Sequence, residues 1–210
     1  NYPLAKFAIA RMDVFVFNAI RFLVAAAVLG TIFFSRHTWV PVSRLDWRRI
    51  LRAGIVANVL YQSAFIVGLR LTTAGNSAVL MATSPLWTLL VNARLHNERI
   101  QPAMWSGMCF SLAGVVLIIV GSGRRITFGG GEIVGDIICL GAAILWAFNT
   151  NLQKPLLQQY SPLHLATMMI GIGAVGLTLA AIPAALTTDW SAIGWEHWLA
   201  AIVSGVLSIG

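Results

Sequence analysis

Residues 163–186 read LHLATMMIGIGAVGLTLAAIPAAL, a run that contains no Asp, Glu, Lys or Arg. About 20 apolar residues wound as a helix cross the roughly 30 Å hydrocarbon core of a bilayer, so this run reads as a membrane span. Working outward from it, the same reading recurs at 14–34, 53–69, 75–93, 104–121, 133–152 and, at the end of the sequence, 198–210. Of the 14 Lys and Arg and 7 Asp and Glu, only Arg21 and Asp136 fall inside these stretches. Charge is costly in hydrocarbon and cheap at its surface, and that contrast produces such a segregation. The composition agrees: 58% apolar, 10% charged, mean hydropathy +0.81, where soluble domains carry about 25% charged residues.

Several function classes fall away. Alternating short strands of a membrane barrel are absent from the pattern. The net charge of +7 sits in loops between apolar spans with no aromatic interleaving, which argues against nucleic acid as a partner. Cys109 and Cys139 lie in apolar stretches and read as small core residues, and the four His have no ligand spacing, so no metal and no cofactor is expected. Gly129-Gly130-Gly131 is a loop breaker without the strand and helix of a phosphate loop. Intramembrane enzymes need clustered acids, bases or nucleophiles at depth, and the spans offer none, so the chain is not expected to be an enzyme.

The fold class expected is an all-α membrane protein, a multi-span helical bundle. Residues 1–9 read as the end of a first span, the seven stretches as spans two to eight. One set of loops holds Arg36, Arg44, Arg48, Arg49, Arg52, Arg94, Arg99 and Lys154, the other Lys6, Arg11, Arg70, Arg124 and Arg125. The richer set is cytoplasmic by the positive-inside bias, which places the protein in the cell's inner, cytoplasmic membrane as a multi-pass protein in contact with the lipid bilayer.

At an ungapped offset of 148, Asn1, Leu4 and Lys6 fall on Asn149, Leu152 and Lys154, Ala26 and Leu29 on Ala174 and Leu177, and Ser43, Trp47, Leu51 and Ala53 on Ser191, Trp195, Leu199 and Ala201. Span one then matches span six. Five is an odd number of crossings, so the two copies lie upside down relative to each other, an architecture that recurs in secondary transporters with the solute site near mid-membrane. The segments are 1–122 for the first repeat and 133–210 for the second. A complete second copy would need about 60 further residues, two more spans, and the chain alone is expected to be inactive.

Local patterns carry a resemblance. They are Asn1-Tyr2-Pro3-Leu4-Ala5-Lys6; Arg21-Phe22-Leu23; Gly68-Leu69-Arg70-Leu71-Thr72-Thr73-Ala74-Gly75-Asn76-Ser77-Ala78 followed by Ser84-Pro85; Glu98-Arg99; Trp105-Ser106-Gly107; Gly114-Val115; and Gly135-Asp136 with Ala142-Ala143-Ile144-Leu145-Trp146-Ala147. In this order and spacing the chain resembles the EamA-type transporters of the drug/metabolite transporter superfamily. The resemblance implies ten helices in two inverted five-helix repeats, about seven to eight of them present here, with both termini cytoplasmic. It implies export or exchange of small metabolites, often amino acids.

Polar residues in a span usually face the bundle interior or a wet cavity. Helical spacing groups Asn58, Tyr61, Gln62 and Phe65 on span three, Asn76, Thr83 and Trp87 on span four, and Trp146, Asn149 and Gln153 on span six. Asn1 joins them through its repeat relation to Asn149. Amides, hydroxyls and aromatic faces suit a small amphipathic solute. The competing reading is that these groups bond one another and hold the helices together. Pro85 should kink span four and free a carbonyl near Met81. Lys6 and Lys154, at helix ends, either draw an anionic group to each entrance or snorkel to the interface. Arg21 snorkels or pairs with an acid. Gly107 with Ser111, and Gly171, Gly173 and Gly176, suit close helix approach or a homodimer. The function expected is an integral membrane secondary transporter working by alternating access. The alternative is a non-transporting scaffold or receptor subunit.

Overall fold

The structure, a computed structural model, describes residues 2–36, 40–96, 102–121, 132–190 and 193–207. Among the described residues the regular structure is helical. Helix α1 spans Tyr2–Ala8, α2 Val14–Ser35 and α3 Arg44–Gly54, which runs through a π turn, Ile55–Leu60, into α4, Tyr61–Leu71. There follow α5 (Ala74–Ala82), α6 (Ser84–His96), α7 (Pro102–Gly121), α8 (Ile133–Leu157), α9 (Pro162–Thr187) and α10 (Trp195–Val206). Four helical stretches, Val14–Ser35, Arg44–Leu71, Ile133–Leu157 and Pro162–Thr187, are long and apolar enough to cross a membrane.

Caps set where the helices begin. Asp13 accepts from the Phe15 and Val16 amides at 2.8 and 3.3 Å, Thr73 from Asn76 at 3.0 Å, and Ser161 from His164 at 3.3 Å. Each satisfies an amide that has no partner inside its own helix.

The fourth apolar stretch is two helices where a single kinked one was expected. Thr83 forms a turn between α5 and α6. Pro85 cannot donate to the Met81 carbonyl four residues back. The Ser84 hydroxyl takes that carbonyl instead, at 2.5 Å, and the Thr83 hydroxyl takes that of Leu80 at 2.5 Å. The carbonyl expected to be free for solute is therefore occupied. Cys109 also departs from expectation: it is exposed, while Cys139 is buried.

The chain forms two compact units, residues 1–63 with 152–210, and residues 64–151. In the first unit α2 and α9 cross antiparallel: Phe22 lies against Gly173, and the Phe33 and His164 ring centroids are 5.1 Å apart. Phe22, Ala174 and Leu177 form the centre of the crossing, with Ala26 and Ile170 packed on it. α3 and its π turn run parallel to α9, Gly54 against Ile172 and Val59 against Gly176. On the other side, α10 packs on α2, its Gly205 set against the Arg21 carbonyl and Val24. α1 meets α10, where Phe7 and His197 stack at 4.7 Å. At one end, Ile50 and Ala53 of α3 pack with Leu156, Tyr160 and Leu165, and the Tyr160 hydroxyl donates to Asp46 at 3.1 Å. That bond brings the start of α3 and the turn between α8 and α9 together.

In the second unit, glycines let α8 approach the junction of α4 and α5. A Cβ at Gly135 would lie 2.7 Å from the Leu71 carbonyl carbon, and one at Gly68 would lie 2.6 Å from Cys139 Sγ. The contact is sealed by buried polar groups. Asp136 accepts from the Thr72 hydroxyl at 2.6 Å and from the Asn76 amide at 3.2 and 3.3 Å, and Ser77 lies 3.3 Å from Cys139 Sγ.

Two outcomes follow for stability. Gly173→Ala would place a Cβ 2.9 Å from the Phe22 ring and should cost about 1–3 kcal/mol by overpacking. Gly30→Ala, with nothing within 4 Å, should be neutral or gain up to about 1 kcal/mol. Thermal unfolding of the two variants in one detergent compares them, and equal melting temperatures would contradict the crossing. Asp136→Ala should cost about 1–3 kcal/mol for each polar group it strands, and Asp136→Asn, which keeps an acceptor for Thr72, should cost less in the same assay.

Candidate functional site

The amides expected to line a path divide into those already committed within the protein and those with capacity to spare. Asn58 sits in the π turn, half-buried, and its Nδ2 donates to the Met169 carbonyl of α9 at 2.7 Å. It helps hold α9 against the π turn. Asn76 is fully buried and its amide donates to Asp136, so it seals the α5–α8 contact and lines no space. Asn149 is buried at 1% exposure. Asn1 lies outside the described residues.

Tyr61 and Gln62 are half-buried on the first turn of α4, and Phe65 is buried one turn on. Gln62 Oε1 is buried with no hydrogen-bond partner. Such an acceptor carries a desolvation cost until something donates to it. On α6, Trp87 donates its indole N–H to Thr83 Oγ1 at 3.0 Å, so these two expected residues do meet. On α8, Gln153 is half-buried and Trp146 is exposed. Arg21 is buried, its guanidinium carbon 5.9 Å from the centroid of the Phe22 ring. Some of its charge is met by the face of that ring.

Each unit has a recess. In the second, Trp87, Leu90, Val91 and Arg94 of α6 face Ile144 and Phe148 of α8 around about 360 Å³. Its walls are almost wholly apolar, so it suits a flat apolar group. Sequence reading found Trp87 and missed its neighbours, although 87, 90, 91 and 94 follow helical spacing. Trp146 stands two residues from both Ile144 and Phe148, which puts it on another side of α8 from this recess. In the first unit, a groove of about 580 Å³ runs between Trp47, Leu51, Ile55 and Val59 on one wall and Thr167, Gly171, Val175 and Gly176 on the other. Gly171 and Gly176 of span seven were the signal that could have revealed it. The buried cluster at Asp136 was also missed, because Thr72 and Asn76 precede it by 60 residues or more.

The EamA-like transporter family matches this chain over residues 1–120 and 133–210. An uncharacterized transporter of Archaeoglobus fulgidus is 27% identical over 91% of this chain and 64% of its own length. The uncharacterized transporter YyaM of Bacillus subtilis is 25% identical over 87% of this chain and 60% of its own. A WAT1-related protein of Arabidopsis thaliana is 25% identical over 95% of this chain and 61% of its own. The chain thus spans a little over three fifths of the length of these relatives. A crystal structure 19% identical to it superposes with a TM-score of 0.71, over 98% of this chain and 74% of the other. With apolar helices able to cross a bilayer and a family match along almost all of its length, this membrane protein belongs to the EamA-like transporter family.

Proposed function

We propose that the protein to which this chain belongs is a secondary transporter that exports or exchanges small metabolites, amino acids among them, by rocking one inverted repeat against the other. The observation that carries the reading is the arrangement of the first compact unit at the 148 offset. α2 begins at Val14 and α9 at Pro162, positions 148 apart. The centre of their crossing pairs Phe22 with Ile170 and Ala26 with Ala174, each pair again 148 apart. Val24 packs on α10 at Gly205, and its equivalent Ile172 packs on α3 at Gly54. Gly54 and Gly205 stand 151 apart, so this second pair of contacts agrees with the offset to within one helical turn, and the arrangement supports a two-fold axis in the membrane plane, which suits alternating access.

Within this reading, Gln62 supplies an unpartnered acceptor for a solute N–H. Thr83 orients the Trp87 indole, whose ring offers a stacking face. Tyr61, Phe65, Trp146 and Gln153 are further contact residues. Asn58, Asn76 and Asn149 serve packing first. Lys6 and Lys154 draw anionic groups toward the helix ends. The location is the cell's inner membrane, and transport is driven by an ion gradient or by counter-exchange.

The test is reconstitution of the full-length protein in liposomes, with labelled amino acids, nucleosides and organic cations supplied with and without a pH gradient. Gln62→Ala, Thr83→Val and Trp87→Ala should each slow uptake by about five- to tenfold, the loss expected for one hydrogen bond or stacking face, with membrane insertion intact. Unchanged uptake in all three would remove these residues from the path. The repeat has its own test. In a Cys109→Ser background, Arg48→Cys and Glu196→Cys, both exposed and 148 apart, should react with an impermeant thiol reagent from opposite faces of the membrane. Labelling from one face would end the inverted arrangement.

A further inference from the structure

The groove of the first unit has a polar entrance on one side. α3 carries Arg44, Arg48, Arg49 and Arg52, all exposed. Arg49 is spent on Asp46 at 3.2 Å, whereas Arg44, Arg48 and Arg52 pair with no carboxylate among the described residues. These three repeat every fourth residue and so form one ridge. Trp47, Leu51, Ile55 and Val59 form the adjacent ridge, which is one wall of the groove. A row of unneutralised guanidinium groups thus stands beside an apolar channel whose mouth is marked by Trp47, the residue type that favours the headgroup level.

The channel has the length of one leaflet. From Trp47 to Val59 the rise is about 18 Å at 1.5 Å per residue, against about 15 Å for half the hydrocarbon core. A packed transmembrane helix would need a channel running through both leaflets. Gly171 provides the depth, since a Cβ there would meet nothing within 4 Å, and Gly176 closes the inner end against Val59.

The chain also supplies its own comparison. At the 148 offset, Trp195, Leu199 and Val203 of α10 and Leu207 at its end repeat the apolar ridge, but Ala192, Glu196 and Ala200 stand in place of Arg44, Arg48 and Arg52. Leu23 and Val28 stand in place of Gly171 and Gly176. The apolar ridge is kept on both sides, while the arginines and the two glycines occur together on one.

We infer that the groove between α3 and α9 is a site for one anionic phospholipid, its headgroup on Arg44, Arg48 and Arg52 and an acyl chain along Leu51, Ile55, Val59 and Gly171. Anionic lipids enrich the cytoplasmic leaflet and attract basic residues near its surface, the leaflet to which the loop charges assign this end of the chain. The inference takes from the proposed repeat only the comparison with α10. One-faced labelling in the cysteine test would end the repeat and leave the lipid result standing.

The test is native mass spectrometry of the full chain in a mild non-ionic detergent, titrated with phosphatidylglycerol or phosphatidylcholine of identical acyl chains. Phosphatidylglycerol should be retained about tenfold better, as expected for attraction to several basic side chains. R44Q/R48Q/R52Q should abolish the preference. R48Q should reduce it and R49Q should not, because Arg49 is already paired. Gly171→Leu, which fills the channel and leaves the charges alone, should also reduce retention of phosphatidylglycerol. A single symmetrical elution peak for each variant controls for folding. Equal retention of the two lipids, a preference that survives the triple variant, or R49Q matching R48Q would overturn the site. So would Gly171→Leu leaving retention unchanged while altering the oligomeric mass, which would make the groove a contact between copies of this chain.

Discussion

The crossing of α2 and α9 is the contact on which the first compact unit depends. Lipid gives helices no hydrophobic reason to associate, so their contact must come from close packing and from bonds between buried polar groups. Gly173 removes the side chain that would otherwise collide with Phe22 and Asn58. The crossing then closes to van der Waals distance around Ala26, Ala174 and Leu177. Once α2 and α9 are joined, the positions of α3 and α10 follow, one on α9 and the other on α2. The glycines at 54 and 205 play the same part on opposite sides, each lying under an aliphatic side chain of the central pair.

Polar groups in this membrane protein meet two ends. Some replace packing energy that lipid cannot supply. Thr72, Asn76 and Asp136 satisfy one another completely enough to be buried together, and Asn58 caps a carbonyl of α9. Others retain unmet capacity, as Gln62 Oε1 does. The distinction is energetic. A satisfied buried network stiffens the protein at little net cost, whereas an unsatisfied acceptor is destabilising in the resting state and gains most when a donor arrives. Solute binding is therefore better placed on the second group than on the first, even though both consist of the same residue types.

The helices were legible because the apolar signal is a sum over some twenty residues, and the observed helices begin within a few residues of the expected apolar stretches except on span three, where the helix extends to Arg44; four of the helical stretches are long and apolar enough to cross a membrane. The break in span four was half legible. Pro85 announced a disturbance, but the hydroxyls of Thr83 and Ser84, which let the chain stop and restart there, act through local bonds that periodicity does not register. The polar stripes were least legible. Spacing of 3.6 residues says which side chains share a face of an ideal helix. The π turn at Ile55–Leu60 breaks that spacing between Asn58 and Tyr61, and nothing in spacing says whether a face meets another helix, lipid or water. Asn76 and Thr83 looked alike in sequence. The difference came from Asp136, 60 residues away, which no local pattern connects to Asn76.

The proposed inverted repeat would pose a problem of orientation, because two equal halves insert equally well either way up. At the proposed 148 offset Trp47 and Trp195, Leu51 and Leu199, Ala53 and Ala201 are identical pairs, so these residues do not resolve it. Charge can resolve it, because the membrane itself is asymmetric in potential and lipid. The first half carries arginine at 44, 48, 49 and 52, and the second carries Ala192, Glu196, His197 and Ala200 at the same places. The surface of α3 is thus free to diverge while its buried face, Ile50, Ala53 and Ala57, stays apolar. One helix meets both demands because they fall on different sides of it. The side that packs on α9 is apolar, and the arginines lie on the exposed side.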